Sequence, residues 1–406
     1  MLFRSLCYSD ISSLFGFRGL SEGLVPYLDN TPSGETLEYP VLTGLFMWLA
    51  SSVSPTLTSI TGSEPVTQFF NTNVVGLLIF LLVAVVATAL TVRRRPWDAA
   101  MVALAPTMVL GATINWDLIP VGLTALSMLA WSRDRPVWAG LVLGLAIAAK
   151  FYPVLLLGAF AILTLRTGRW RPALALLAAT SASWLVVNAP VAIAAWDNWR
   201  YFFTFNAARG MDFGSLWYAL SIFGFPGMYD GRINSITLIA FLIGFGVVAL
   251  LALRLKTRPR LAQVAFLVIA VFTLAGKVYS PQYVLWLIPL AVMARPRWRD
   301  FMIWQVGEVL YFVAIWWHLV GYDAPDGRSL PVGWYAAATV IRIAATLYFV
   351  SMVVRDMVRP DKDPVRSDGF AEDQDDPGGG PFDAAPDIFT LRTSRDGDRK
   401  STRLNS

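Results

Sequence analysis

The chain has 406 residues, yet it contains one cysteine, Cys7, and one histidine, His318. A lone cysteine excludes an intrachain disulfide and a cysteine-based metal cluster; a lone histidine excludes a His-rich metal site. Charge is scarce as well. Asp, Glu, Lys and Arg make up 15% of the residues, against about 25% in an ordinary soluble domain. No glycine-rich phosphate loop opens a helix after a strand, so no cytoplasmic nucleotide-sugar or ATP domain is visible. No internal repeat is evident. What is present is apolar: 56% of residues are hydrophobic, among them 16 Trp and 25 Phe. The net charge of +5 does not imply nucleic acid. The arginines sit at helix ends rather than in a continuous patch, where anionic lipid headgroups explain them better.

The apolar runs fall near residues 74–92, 99–114, 118–131, 136–149, 154–165, 172–195, 234–253, 261–276, 283–294, 301–320 and 334–354. Several are shorter than the roughly 20 residues that a straight crossing needs. Arginine clusters follow on every second connection: Arg93 to Arg95, Arg133 with Arg135, Arg166 to Arg171, Arg254 to Arg260, Arg295 to Arg299, and Arg355 with Arg359. Cytoplasmic loops carry the excess of Lys and Arg, so these six connections define the inner face. The expected fold is an all-α polytopic membrane bundle with about eleven spans present.

Span 74–92 must then run inward, which places residues 1–73 outside. The stretch 39–53 is about fifteen residues long, marginal for crossing, and reads as an interfacial or re-entrant helix. One further span is expected upstream of residue 1, to carry the chain outward. The bundle proper occupies 74–354, with a long outer loop at 196–233. Residues 355–397 form an acidic, Gly- and Pro-rich tail expected to be disordered in the cytoplasm, where the triplet Asp361-Lys362-Asp363 carries no expected role. The last run, 398–406, resembles a translated sequencing-adapter read-through.

Polar residues with chemical capacity gather on the outer face. They are Tyr8-Ser9-Asp10, Pro26-Tyr27, Glu38-Tyr39-Pro40, Asn115-Trp116-Asp117, Lys150-Phe151-Tyr152-Pro153, and Lys277 to Tyr283 with Gln282. Two lysines at equivalent outer turns could pair with a phosphate at the bilayer surface. Acids at the same level could take a proton from a hydroxyl or orient it. The competing reading is that they are interfacial anchors and loop caps. The outer loop mixes Trp199, Arg200, Tyr201, Phe202, Phe203, Phe205, Arg209 and Asp212, which suits a headgroup, a sugar face or an amphipathic surface helix. Within the spans Glu308 and Arg342 are the exceptions to a near absence of charged groups. Helix counting puts them about 6 Å apart along the normal at 1.5 Å per residue, so a structural ion pair between neighbouring helices is expected.

In these motifs, and in their order and sidedness from about Tyr8 to Val354, the chain resembles the GT-C membrane glycosyltransferases, and within them glycosyltransferase family 87. That resemblance implies transfer of a sugar, mannose as the commoner donor or arabinofuranose, from a polyprenyl-phosphate carrier to a cell-envelope glycolipid or glycan. The transfer would take place at the outer leaflet of the cytoplasmic membrane, with inversion. It implies Asp10 as general base and Asp117 as a second outer-loop acid. Lys150 and Lys277, with Arg200 or Arg209, would hold the donor phosphate. Tyr152, Gln282, Glu38 and His318 complete the candidate substrate-binding set. No metal ligands and no cofactor are expected, a role for a divalent cation being left open by the sequence, and the partners are donor, acceptor and membrane lipids. The alternative function is a transporter or flippase of lipid-linked glycans, which would place polar groups and broken helices near the bilayer midplane. A non-catalytic scaffold would tolerate any change at the outer-face acids.

Overall fold

The computed structural model describes residues 8–29, 31, 34, 36–225, 231–323, 329–367 and 376–391. Cys7 and the run 398–406 lie outside them. Among the described residues every regular element is helical, and the chain is a multi-pass membrane protein.

Two short or shallow helices come first, α1 (Asp10–Phe17) and α2 (Val41–Thr61), followed by α3 (Pro65–Thr91). Next are α4 (Ala100–Ala103), α5 (Pro106–Gly111), α6 (Leu118–Ser132), α7 (Pro136–Ala149), α8 (Leu156–Thr167) and α9 (Trp170–Ala194). The long loop forms α10 (Trp196–Ala208) and α11 (Leu216–Ile222). The remainder is α12 (Ile233–Arg254), α13 (Leu261–Ala275), α14 (Val284–Ala294), α15 (Trp298–Asp323) and α16 (Val332–Val358).

Helices α3, α9, α12, α15 and α16 are long and apolar enough to cross a bilayer. The 27 residues of α3 span roughly 40 Å at 1.5 Å per residue. Its exposed residues between 75 and 86, namely Val75, Leu78, Ile79, Leu82 and Val86, form the kind of all-apolar surface that lipid accepts. Pro65 sits in its first turn, where no helical N–H is lost. The shorter helices survive because protein surrounds them: every residue of α14 is buried, and so are most of α13.

The stretch 99–114 is not one span. It breaks at Leu104–Ala105 into α4 and α5, because Pro106 has no N–H and Ala105 turns extended. The Thr107 N–H and hydroxyl exposed by the break donate to Gln305 Oε1 at 3.2 and 2.6 Å. Broken backbone at membrane depth is tolerable when protein satisfies it in this way.

Helix α2 runs on past residue 53 to Thr61, longer than expected, and could cross by length and composition alone. Its contacts tie it to α7 and α3. Thr43 donates to Ala149 O at the end of α7 (2.6 Å), and Thr61 donates to Gln68 in the first turns of α3 (3.0 Å). Both partners lie away from the arginine clusters, so α2 folds back along α3 without reaching them.

The arginine clusters meet at one end. Arg93 donates to Ser132 O and Arg133 to Leu90 O, joining the ends of α3 and α6. Arg166 reaches Leu255 O beyond α12 (3.1 Å). Arg260 reaches Met293 O and Ala294 O at the end of α14 (2.8 and 2.6 Å), and Arg295 pairs with Asp356 near the end of α16. The expectation that these arginines serve as headgroup anchors fails for three of them. Arg166, Arg260 and Arg295 are fully buried and tie helix ends together, the first two by donating to helix-end carbonyls and Arg295 by pairing with Asp300 and Asp356.

Described parts of the tail, at 361–367 and 376–391, also depart from the expected disorder. Asp363, in the triplet assigned no role, is buried against the Arg260 guanidinium with contacts of 2.8 and 3.0 Å. Asp387 pairs with Arg166 and Arg258 at 2.6 and 2.9 Å. Phe382 packs on Trp131 and Phe160, while Trp131 Nε1 donates to Gly379 O at 2.8 Å. Buried arginines need carboxylates, and the acidic tail supplies them.

Candidate active site

The end opposite the arginine clusters holds a cavity of about 520 Å³. Its floor begins with α1. Ser9 caps that helix, accepting from Ile11 N (3.2 Å) and donating to Thr113 O (2.6 Å), while Asp10 N donates to Ile114 O (2.8 Å). The first and second outer segments are thereby stitched together, and Asp10 is fixed in a helical first turn, a favourable place for a carboxylate. Tyr39 donates its phenolic hydrogen to Asp10 Oδ2 at 3.0 Å, and Tyr8 also bonds the carboxylate. Burial raises the Asp10 pKa above the usual aspartate value, opposed by these two phenols and by Lys150. Asp10 is therefore a stronger base than a free aspartate and stays oriented by its donors.

The Pro26-Tyr27 motif supports this wall from behind. Tyr27, at φ +70°, donates to Tyr39 O and Pro40 O at 2.8 and 2.9 Å. Its ring lies so close to Gly44 that a Cβ there would overlap it. Glu38 lines the cavity and is held by Arg18 (2.9 Å).

Lys150 ends α7 in an extended conformation, which turns its side chain into the cavity. Its ammonium lies 2.7 Å from Asp117 Oδ1 and 5.1 Å from the centre of the Tyr39 ring. Burial works against the ammonium, but Asp117, Tyr283 and Asp10 outweigh it and hold its pKa above the ordinary lysine value. Asp117 itself is only 1% exposed. Its other oxygen accepts from Trp286 Nε1 (3.0 Å), and it does not line the cavity. The expected second catalytic acid thus stands behind Lys150 and fixes it.

The motifs at 150–153 and 280–283 form twin 3₁₀ turns, each with proline at its start, leading into α8 and α14. Ser280, Gln282 and Tyr283 line the cavity. Tyr283 stacks on Trp286 (3.8 Å) and Trp286 on Tyr152 (4.3 Å), so Tyr152 supports the wall without lining it. The roof comes from the long loop: Phe202, Phe205 and Asn206 of α10, then Arg209, Asp212 and Phe213. Arg209 and Asp212 form an ion pair, and Asp212 also accepts from Phe213 N at 2.6 Å.

Of the expected site residues the structure brings together Asp10, Glu38, Lys150, Arg209 and Gln282. Five others are placed elsewhere or indirectly, Tyr152 among them as the wall support just described. Lys277 donates to Ala207 O, Arg209 O and Asn234 Oδ1, so it braces the end of α10 instead of facing a phosphate. Burial and the neighbouring Arg209 lower its pKa. Arg200 pairs with Asp197 (2.8 Å) on an exposed face. His318 is buried, with Nδ1 2.9 Å from Leu330 O and its ring stacked on Tyr335 at 4.6 Å. Asp117 acts through Lys150. Asn206 and Asp212 were not singled out as site residues. The one available signal for Asp212 was its three-residue spacing from Arg209 on the outer loop. A larger cavity, about 790 Å³, lies at the arginine end, but it collects none of the expected residues.

Residues 39–276 match the sequence model of glycosyltransferase family 87. The chain belongs to glycosyltransferase family 87. The match takes in Tyr39, Asp117, Lys150 and Arg209, while Asp10, Glu38 and Gln282 lie outside it. No curated protein matches the chain. For a glycosyltransferase the cavity has a coherent layout. A partly buried carboxylate with phenol donors, Asp10, shares the cavity with two cations, Lys150 and Arg209, and with aromatic side chains that suit sugar rings.

Proposed function

We propose that this glycosyltransferase moves a sugar, mannose in our reading, from a polyprenyl-phosphate donor to a glycolipid or glycan of the cell envelope. The reaction takes place on the extracytoplasmic side of the cytoplasmic membrane and inverts the anomeric carbon. Asp10 takes the proton of the acceptor hydroxyl as that oxygen bonds to the anomeric carbon. The bond from that carbon to the phosphate oxygen breaks, and polyprenyl phosphate leaves with the electron pair. In this reading Lys150 and Arg209 stabilise the charge growing on the departing phosphate. The observation that carries this reading is the meeting of Asp10, Lys150 and Arg209 in one cavity at the end away from the arginine loops.

The test supplies membranes containing the full-length protein with labelled polyprenyl-phosphate mannose and envelope acceptor lipids. Label should appear in a new glycolipid, and Asp10→Asn should abolish transfer at unchanged expression. Transfer unaffected in that variant removes Asp10 as base. Donor that changes leaflet without forming a new bond replaces the enzyme reading with a transporter.

A further inference from the structure

The ion pair inside the bundle does more than neutralise two buried charges. Arg342 of α16 donates through Nε to Glu308 Oε2 at 2.7 Å. Its two remaining nitrogens leave the pair and reach the loop that lines the cavity. Nη1 donates to Tyr279 O at 2.5 Å and Nη2 to Ser280 O at 3.1 Å. The guanidinium plane also lies against the Tyr279 and Tyr311 rings, 3.4 and 4.3 Å from their centres. Glu308 is filled separately by Tyr279, Trp304 and Thr346, each within 3.2 Å.

The same point supports the opposite wall. Gly214 sits at φ +78°, and a Cβ there would overlap Tyr279 O and Tyr311 Oη. Its N–H donates to Tyr335 Oη at 2.6 Å, and Asp212 N donates to Lys277 O at 2.8 Å. The segments bearing Ser280, Gln282 and Tyr283 on one side, and Arg209, Asp212 and Phe213 on the other, thus close over a single guanidinium. A planar guanidinium spreads fixed donors across two carbonyls and a carboxylate, whereas a lysine ammonium offers its donors from a single nitrogen on a flexible stem.

We propose that Arg342 is a positioning residue that sets the two cavity walls at 209–214 and 279–283, and with them the fit of the donor. This rests on the glycosyltransferase reading above. Arg342→Lys keeps the charge opposite Glu308 but loses the bridge. Arg295→Lys makes the same chemical change in the buried Asp300–Asp356 network at the far end and serves as the comparison.

Steady-state transfer should show KM for the donor raised about tenfold or more in Arg342→Lys with kcat nearly kept, the mark of lost binding rather than lost chemistry. Arg295→Lys should leave KM unchanged at a comparable loss of melting temperature. Equal KM changes in the two, or none in Arg342→Lys, overturn the proposal. Should Arg342→Lys fail to fold, Gly214→Ala displaces one wall without touching the ion pair and must raise KM; an unchanged KM again overturns it. A second measurement needs no sugar transfer. In a Cys7→Ser, Ser280→Cys background, a polar maleimide should react several-fold faster when Arg342→Lys is added than when Arg295→Lys is added. Equal labelling rates refute the positioning role. Absent wild-type transfer with unequal labelling refutes only the functional reading.

Discussion

Replacing Tyr39 with Phe removes one hydrogen-bond donor from Asp10 and little else. The ring keeps its edge-on contact with Trp116, 5.3 Å between centres, and Lys150 remains over it. The phenol stabilises the carboxylate over the acid, so its loss raises an Asp10 pKa that burial has already raised. A hydrogen bond to a charged group contributes about 1.5–3 kcal/mol, and one pKa unit corresponds to about 1.4 kcal/mol. Tyr8 stays in place and water can enter the cavity, so the lower figure applies and the shift is about one unit. The base works only when deprotonated. The acid limb of kcat/KM, which reports the base in the free enzyme, should therefore move about one pH unit higher in Tyr39→Phe, and the two profiles should converge above it. Transfer from a labelled donor across a pH series measures this. An acid limb that stays put in a folded Tyr39→Phe protein would show that Asp10 is not the group whose ionisation limits the reaction.

Other consequences follow from the same geometry. Asp117→Asn leaves every cavity-lining side chain unaltered but frees the Lys150 ammonium. Transfer should fall about tenfold to a hundredfold, as expected for a misplaced charge, and an unchanged rate would remove Asp117 from the positioning of Lys150. Asp363→Asn strips Arg260 of its buried partner and should cost about 3–5 kcal/mol, read as a large drop in melting temperature; a disordered tail would tolerate the change. Burial raises the Asp376 pKa to about 6, above an unfolded value near 4, so the fold favours its protonated form. The stabilisation this gives, at most about 3 kcal/mol, is complete below the unfolded value and is lost as pH rises toward and through 6. Hydrogen exchange over 376–391 should therefore speed up from pH 4 to pH 7 beyond its intrinsic rise, and Asp376→Asn should remove that excess.

Composition and order along the chain determined the class of molecule. Scarce charge, runs of apolar residues and arginines on alternate connections are set by the cost of placing charge in hydrocarbon, a cost paid residue by residue and so readable from residues alone. The same reasoning placed Asp10, Glu38, Lys150 and Gln282 on one rim and paired Glu308 with Arg342, which meet at 2.7 Å. Direction and distance within that rim belonged to the tertiary structure. Whether Lys277 faces a cavity or braces α10, whether Asp117 meets substrate or stands behind Lys150, and whether His318 is open or stacked on Tyr335 all depend on side-chain direction. Packing between distant helices fixes that direction, and loop position does not encode it. The tail was misjudged for a related reason. Its acidic, glycine-rich composition reads as disorder in isolation, and only the fold brings Asp363 and Asp387 to arginines that lie buried and otherwise uncompensated.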